Sequence, residues 1–137
     1  MKKMLIMAAM MLIPMISFGQ SVYDRAGSYK GKVESDGKIY DRTGAYMGKV
    51  DGNGSIYDRT GAYKGKIDRG NFYDRSGSYM GKIDNNGSVY DRTGEYMGKV
   101  DGSGNIYDRT GSYTGKAQNV KEATTAAISF FGMFILN

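Results

Sequence analysis

The chain has 137 residues and a formal net charge of +5, and it contains no cysteine, histidine or tryptophan. The absence of cysteine and histidine rules out a thiol or imidazole nucleophile–base pair and any contribution of disulfides to stability. The modest basic excess describes a mildly basic surface and not a nucleic-acid footprint.

The chain opens MKKMLIMAAMMLIPMISFGQ. A Lys2–Lys3 pair, an apolar run from Met4 to Ile13, Pro14, and small residues at Ser17 and Gly19 have the layout of a secretory signal peptide over residues 1–19. The apolar run is shorter than the roughly 20 residues that cross a bilayer, so removal after Gly19 is expected rather than anchoring. The mature protein would start at Gln20 and be secreted, periplasmic or at the cell surface. No cysteine follows that could carry a bacterial lipid anchor. Losing Lys2 and Lys3 leaves 17 basic residues against 14 acidic ones.

Residues 20–118 form a tandem array. The tripeptide Tyr-Asp-Arg begins at Tyr23, Tyr40, Tyr57, Tyr73, Tyr90 and Tyr107, in steps of 17, 17, 16, 17 and 17 residues, and all twelve tyrosines fall two per copy. Such a period marks a repeat architecture. Each copy holds two short runs with strand character, as in SIYD and YMGKV, separated by turn residues. The linkers ESDGK, DGNGS, DNNGS and DGSGN fit three-residue hairpin loops with a left-handed glycine. The one short step leaves Arg69–Gly70 as a two-residue turn, a deletion that hairpins accept. The resulting pairs are Val33 with Ile39, Val50 with Ile56, Ile67 with Phe72, Ile83 with Val89, and Val100 with Ile106. Val22 and Ala117 are left over, and pairing them would close the sheet without an exposed edge. Strand parity then calls for a bulge in each copy, expected at the glycine of Gly-Lys.

The tail, residues 119–137, reads NVKEATTAAISFFGMFILN and has no charge after Glu122. Asn119 with Glu122 suggests a helix N-cap, and residues 120–136 are expected as a helix. It is apolar on every face, which suits a core or a bilayer. Eleven apolar residues at about 1.5 Å each reach only about 16 Å, short of a membrane, so the helix is expected inside the ring with Phe130, Phe131 and Phe134 against the Val/Ile side chains.

The motif YDRTGAYMGK and its variants, over residues 21–117, resemble the β-flower proteins, in particular the five-fold β-flower proteins. The resemblance implies an all-β repeat: a closed shallow barrel of short β-hairpins with a C-terminal hydrophobic helix filling the centre. It implies no biochemical activity, and a more distant likeness to the Tubby C-terminal fold carries none over either, since fold does not fix function.

Chemistry is sparse. Asp24, Asp41, Asp58, Asp74, Asp91 and Asp108 are six copies of one position, whereas catalysis needs distinct groups in distinct environments. They suit bonds to backbone N–H groups in their own turns. The DGNGSIYD segment lacks the glycine and glutamate of a calcium loop, with Ile56 and Ala62 in those places. No enzyme, metal or cofactor is expected. Two roles stand: a structural or interaction module of the cell envelope, or a binder of an anionic glycan or lipid head group. The second would use a ring containing Arg42, Arg59, Arg75, Arg92, Tyr40 and Tyr57. Tyr40, Tyr46 and their copies equally suit plain cross-strand packing.

Overall fold

The computed structural model describes residues 20–136. The proposed leader, residues 1–19, lies outside them. The described residues form twelve strands and one helix. The first six strands are β1 (Ser21–Asp24), β2 (Tyr29–Val33), β3 (Lys38–Asp41), β4 (Tyr46–Val50), β5 (Ser55–Asp58) and β6 (Tyr63–Asp68). The second six are β7 (Asn71–Asp74), β8 (Tyr79–Ile83), β9 (Ser88–Asp91), β10 (Tyr96–Val100), β11 (Asn105–Asp108) and β12 (Tyr113–Ala117). Each pairs antiparallel with its sequence neighbours, and β1 pairs with β12 to close the barrel.

All five hairpin pairs occur in the expected register, from Val33 opposite Ile39 to Val100 opposite Ile106. Val22 faces Ala117 across the seam. At the shortened copy Asp68 pairs with Asn71, and Arg69 (φ 53°) and Gly70 (φ 83°) make the two-residue turn with both residues left-handed. That is the primed turn whose twist matches paired strands.

Apart from the Arg69–Gly70 turn, both ends of the barrel use the same turn. In the first Asp-Arg-x-Gly loop, Gly27 N–H donates to Asp24 O and Asp24 N–H to Ser28 O, both at 3.0 Å; Glu34, Gly37 and Lys38 repeat the pattern at the other end. Three-residue loops at both ends require one extra residue per copy. Val22 faces Gly31 while Tyr23 faces Tyr29, so Lys30 is the unpaired residue. Met47, Lys64, Met80, Met97 and Thr114 hold the same place. The bulge therefore falls one residue before the glycine, which keeps a partner.

The inward faces of the strands bury Val22, Val33, Ile39, Ile56, Phe72, Ile83, Val89, Val100, Ile106 and Ala117. The tail fills the space between them, but its helix is shorter than residues 120–136: α1 spans Glu122–Ser129. Asn119 does not cap it. That residue turns the chain out of β12 with φ 58°, and Lys121 occupies the cap position without a side-chain bond. Small side chains at Thr124, Thr125, Ala126 and Ala127 face the barrel wall and are buried. Left-handed Gly132 (φ 61°) ends the helical path and lets Met133 N–H reach back to Ala127 O at 3.1 Å. Beyond it the chain packs irregularly, with Met133 and Phe134 buried. The Lys64 ammonium donates to Met133 O at 2.7 Å, supplying a partner to backbone that has left the helix.

The three phenylalanines rest on bare glycines. A Cβ added to Gly98 would lie 2.7 Å from the Phe130 ring, one on Gly81 2.7 Å from Phe131, and one on Gly48 2.9 Å from Phe134. Phe131 also stacks on Phe72, with centroids 4.3 Å apart and planes inclined by 30°. The glycine of Gly-Lys thus seats the plug in three of six copies.

Candidate functional site: the tyrosine–arginine end of the barrel

In each hairpin the Tyr before Asp-Arg and the Tyr after the turn face one another on the outer surface. All six pairs meet edge-to-face, with centroids 5.7–6.2 Å apart. That geometry suits the ring quadrupoles. In four of the hairpins the lysine of Gly-Lys from the preceding strand then folds over the first tyrosine: Lys32 lies 5.3 Å from the Tyr40 centroid, Lys49 6.0 Å from Tyr57, Lys66 6.0 Å from Tyr73 and Lys82 5.6 Å from Tyr90. Tyr40 and Tyr57 are therefore half-buried under a cation, whereas Tyr29, Tyr63, Tyr79, Tyr96 and Tyr113 are 37–42% exposed. Which tyrosine of each pair faces solvent was not legible from the repeat.

The aspartates are tied into their turns. Asp41 Oδ1 accepts from Thr43 N–H at 2.8 Å, the Thr43 hydroxyl at 2.6 Å and Ala45 N–H at 3.0 Å. Asp58, Asp91 and Asp108 repeat all three bonds. The threonine hydroxyl is the main cause holding these four carboxyls below the ordinary carboxylate range, helped by the backbone donors. At Asp108, Arg25 from across the seam adds a smaller push the same way.

Arg42, Arg59, Arg75 and Arg92, with Arg25 and Arg109, sit exposed on the six turn tips. Among the described residues none of them joins an ion pair within 4.0 Å; the pairs recorded are Lys32–Glu34 and Lys38–Asp36. A cleft of about 220 Å³ separates neighbouring hairpins, lined by Asp74, Ser78, Tyr79 and Met80 of one and Arg92 of the next. The exposed tyrosine and the arginine of adjacent repeats are thus brought together, without Tyr40 or Tyr57.

Charge is divided along the barrel axis. The arginine end carries six arginines, Lys30 and Lys64 against six aspartates and Glu95, a near balance. The opposite end is acidic, with seven carboxylates against Lys38, Arg69 and Lys121. The six Gly-Lys lysines lie between them on the outer wall. Among the described residues no cluster of three or more acidic side chains is placed to hold a metal, and no helix is long and apolar enough to cross a membrane.

These features define a class: a closed antiparallel barrel of repeated hairpins, filled by its own C-terminal segment and presenting one motif many times around its rim. The family model described as 5-fold beta-flower protein matches residues 19–134, and the chain belongs to that family. Its own barrel has six Tyr-Asp-Arg hairpins at one end and five Gly turns at the other, where the sixth place is taken by the chain entering at Gln20 and leaving at Gln118. No curated protein and no solved structure matches the chain.

Proposed function

We propose that this is a secreted, non-catalytic interaction module of the cell envelope, acting in the periplasm or at the cell surface, with the arginine end as its contact face. The observation that carries this reading is repetition. The exposed arginine and tyrosine recur around one rim, while the neighbouring aspartates are committed to their turns. A rim of like sites suits multivalent attachment, in which weak contacts add through effective concentration. An anionic glycan or a lipid head group is the ligand class that the arginines favour.

The test uses the mature chain from Gln20. Retention on an acidic polysaccharide column or on anionic liposomes is expected, and replacing Arg42, Arg59, Arg75 and Arg92 together by Gln should abolish it without altering the fold. No retention of the wild type, or equal retention of the quadruple variant, refutes an anionic ligand at this face. Mass spectrometry of the exported protein should find Gln20 at its N-terminus.

A further inference from the structure

The cleft between neighbouring hairpins has a composition that a bare anion site lacks. It sets one cation, Arg92, across from one carboxylate, Asp74, beside the exposed face of Tyr79. Asp74 uses Oδ1 to accept from Ser76 and Ser78 N–H at 2.9 and 3.0 Å, which orients the carboxylate while its Oδ2 takes no part in those bonds. Arg92 enters no ion pair among the described residues. The cleft therefore offers a fork of donors, a fixed acceptor and an aromatic face, with no net charge. A lone anion would gain from Arg92 and lose to Asp74. A sugar ring satisfies all three, because its hydroxyls both donate and accept and its C–H face packs on tyrosine.

The arrangement is repeated. Aspartate, second tyrosine and next-hairpin arginine occur in every copy, and Arg25, which helps to lower the Asp108 carboxyl, stands in the same neighbour relation to it across the seam. Of the five lining places those of Ser78 and Met80 vary between copies, with Glu95 in the first and Lys30 and Lys64 in the second, so the balance of one cation and one carboxylate is met most closely where these places are uncharged, as in the Asp74–Arg92 cleft.

The geometry points to a set of rim subsites, one between each two hairpins, that bind neutral pyranose units of a glycan through vicinal hydroxyls. This rests on reading the arginine end as the contact face, and it replaces the anionic ligand by an uncharged one.

The experiment follows tyrosine fluorescence, which is clear of tryptophan in this chain. Cellotriose, mannotriose and xylotriose serve as neutral probes, and a galacturonate trimer as the acidic one. At least one neutral trimer should bind with more than one site per barrel. Changing all six turn arginines to Lys should weaken that binding more than tenfold, because lysine keeps the charge but loses the two-pronged donor geometry. Tyr79→Ala should remove one site of the set and leave the affinity of the others unchanged. Binding of the galacturonate trimer alone, rescued by lysine, overturns the neutral-sugar inference and keeps the contact face. Neutral binding at a single site, or binding unmoved by the lysine variant, also overturns it. Silence of all four trimers overturns the neutral-sugar inference, and together with no retention on acidic polysaccharide or anionic liposomes it removes the contact face as well.

Discussion

Replacing Gly81 by alanine should damage the fold far more than replacing Gly94. Gly81 has φ +145°, and a Cβ there would lie 2.2 Å from the Tyr90 carbonyl oxygen and 2.7 and 2.9 Å from ring atoms of Phe131. Ordinary contact begins near 3.4 Å. Strand β9 would have to move by about an ångström, or Phe131 leave its seat. The backbone conformation costs an alanine about 1–3 kcal/mol, and overpacking a filled core adds about 1–3 kcal/mol. The expected loss is about 2–6 kcal/mol, against a net stability of about 5–15 kcal/mol for a domain. Gly94, on a turn at φ +89°, has nothing within 4 Å of its missing Cβ, so its alanine bears only the left-handed penalty of about 1–2 kcal/mol. Urea denaturation of both variants measures the difference as a midpoint shift at constant slope. Equal shifts would show that the Gly-Lys glycine is not a seat, and the account of how the tail is held would fall.

Phe134 is 4% exposed and Ile135 66%, so Phe134→Ala should cost about 3–5 kcal/mol, lowering Tm by about 10–20 °C, while Ile135→Ala should leave it nearly unmoved. A calorimetric scan of each variant decides this. The depressed carboxyls of Asp41, Asp58, Asp91 and Asp108 stabilise the fold above the unfolded carboxylate pKa of about 3.9, and that contribution is lost as pH falls through their lower folded values. Tm measured against pH should therefore drop below about pH 4, and changing Thr43, Thr60, Thr93 and Thr110 to Val should lower Tm at pH 6 but much less at pH 2.

Strand pairing was legible because loop length fixes register. The glycine loops align Val33 with Ile39 and its counterparts, and the Arg69–Gly70 deletion tests the same rule independently. The closing pair of Val22 and Ala117 was legible as the two residues that no hairpin used. The extent of the helix was not. A segment apolar on every face has the same composition whether it is helical or irregular, and only Gly132 hinted at the stop. What lets the chain leave the helix after Ser129 is the barrel itself, through glycine seats and the Lys64 ammonium, and these are contacts between residues 32–86 positions apart. At the rim the arginines stood out as repeated exposed charges. Their tyrosine partner did not, because the two tyrosines of each copy share the outer surface, and what covers the first one at Tyr40 and Tyr57 is a lysine reaching over from the preceding strand.

The seam has an evolutionary consequence. Since Val22 and Ala117 meet as an ordinary antiparallel pair, the circumference of the ring comes in whole repeats, and gaining or losing one 17-residue unit changes the strand number by two. Barrel width follows strand number, whereas the tail has one size. A descendant with one petal fewer would crowd Phe130, Phe131 and Phe134 out of the lumen, and one with a petal more would leave them loose. Duplication, usually the easiest change for a tandem gene, is thus coupled here to a second locus at the far end of the same chain. Petal number and plug volume have to be inherited as a matched pair.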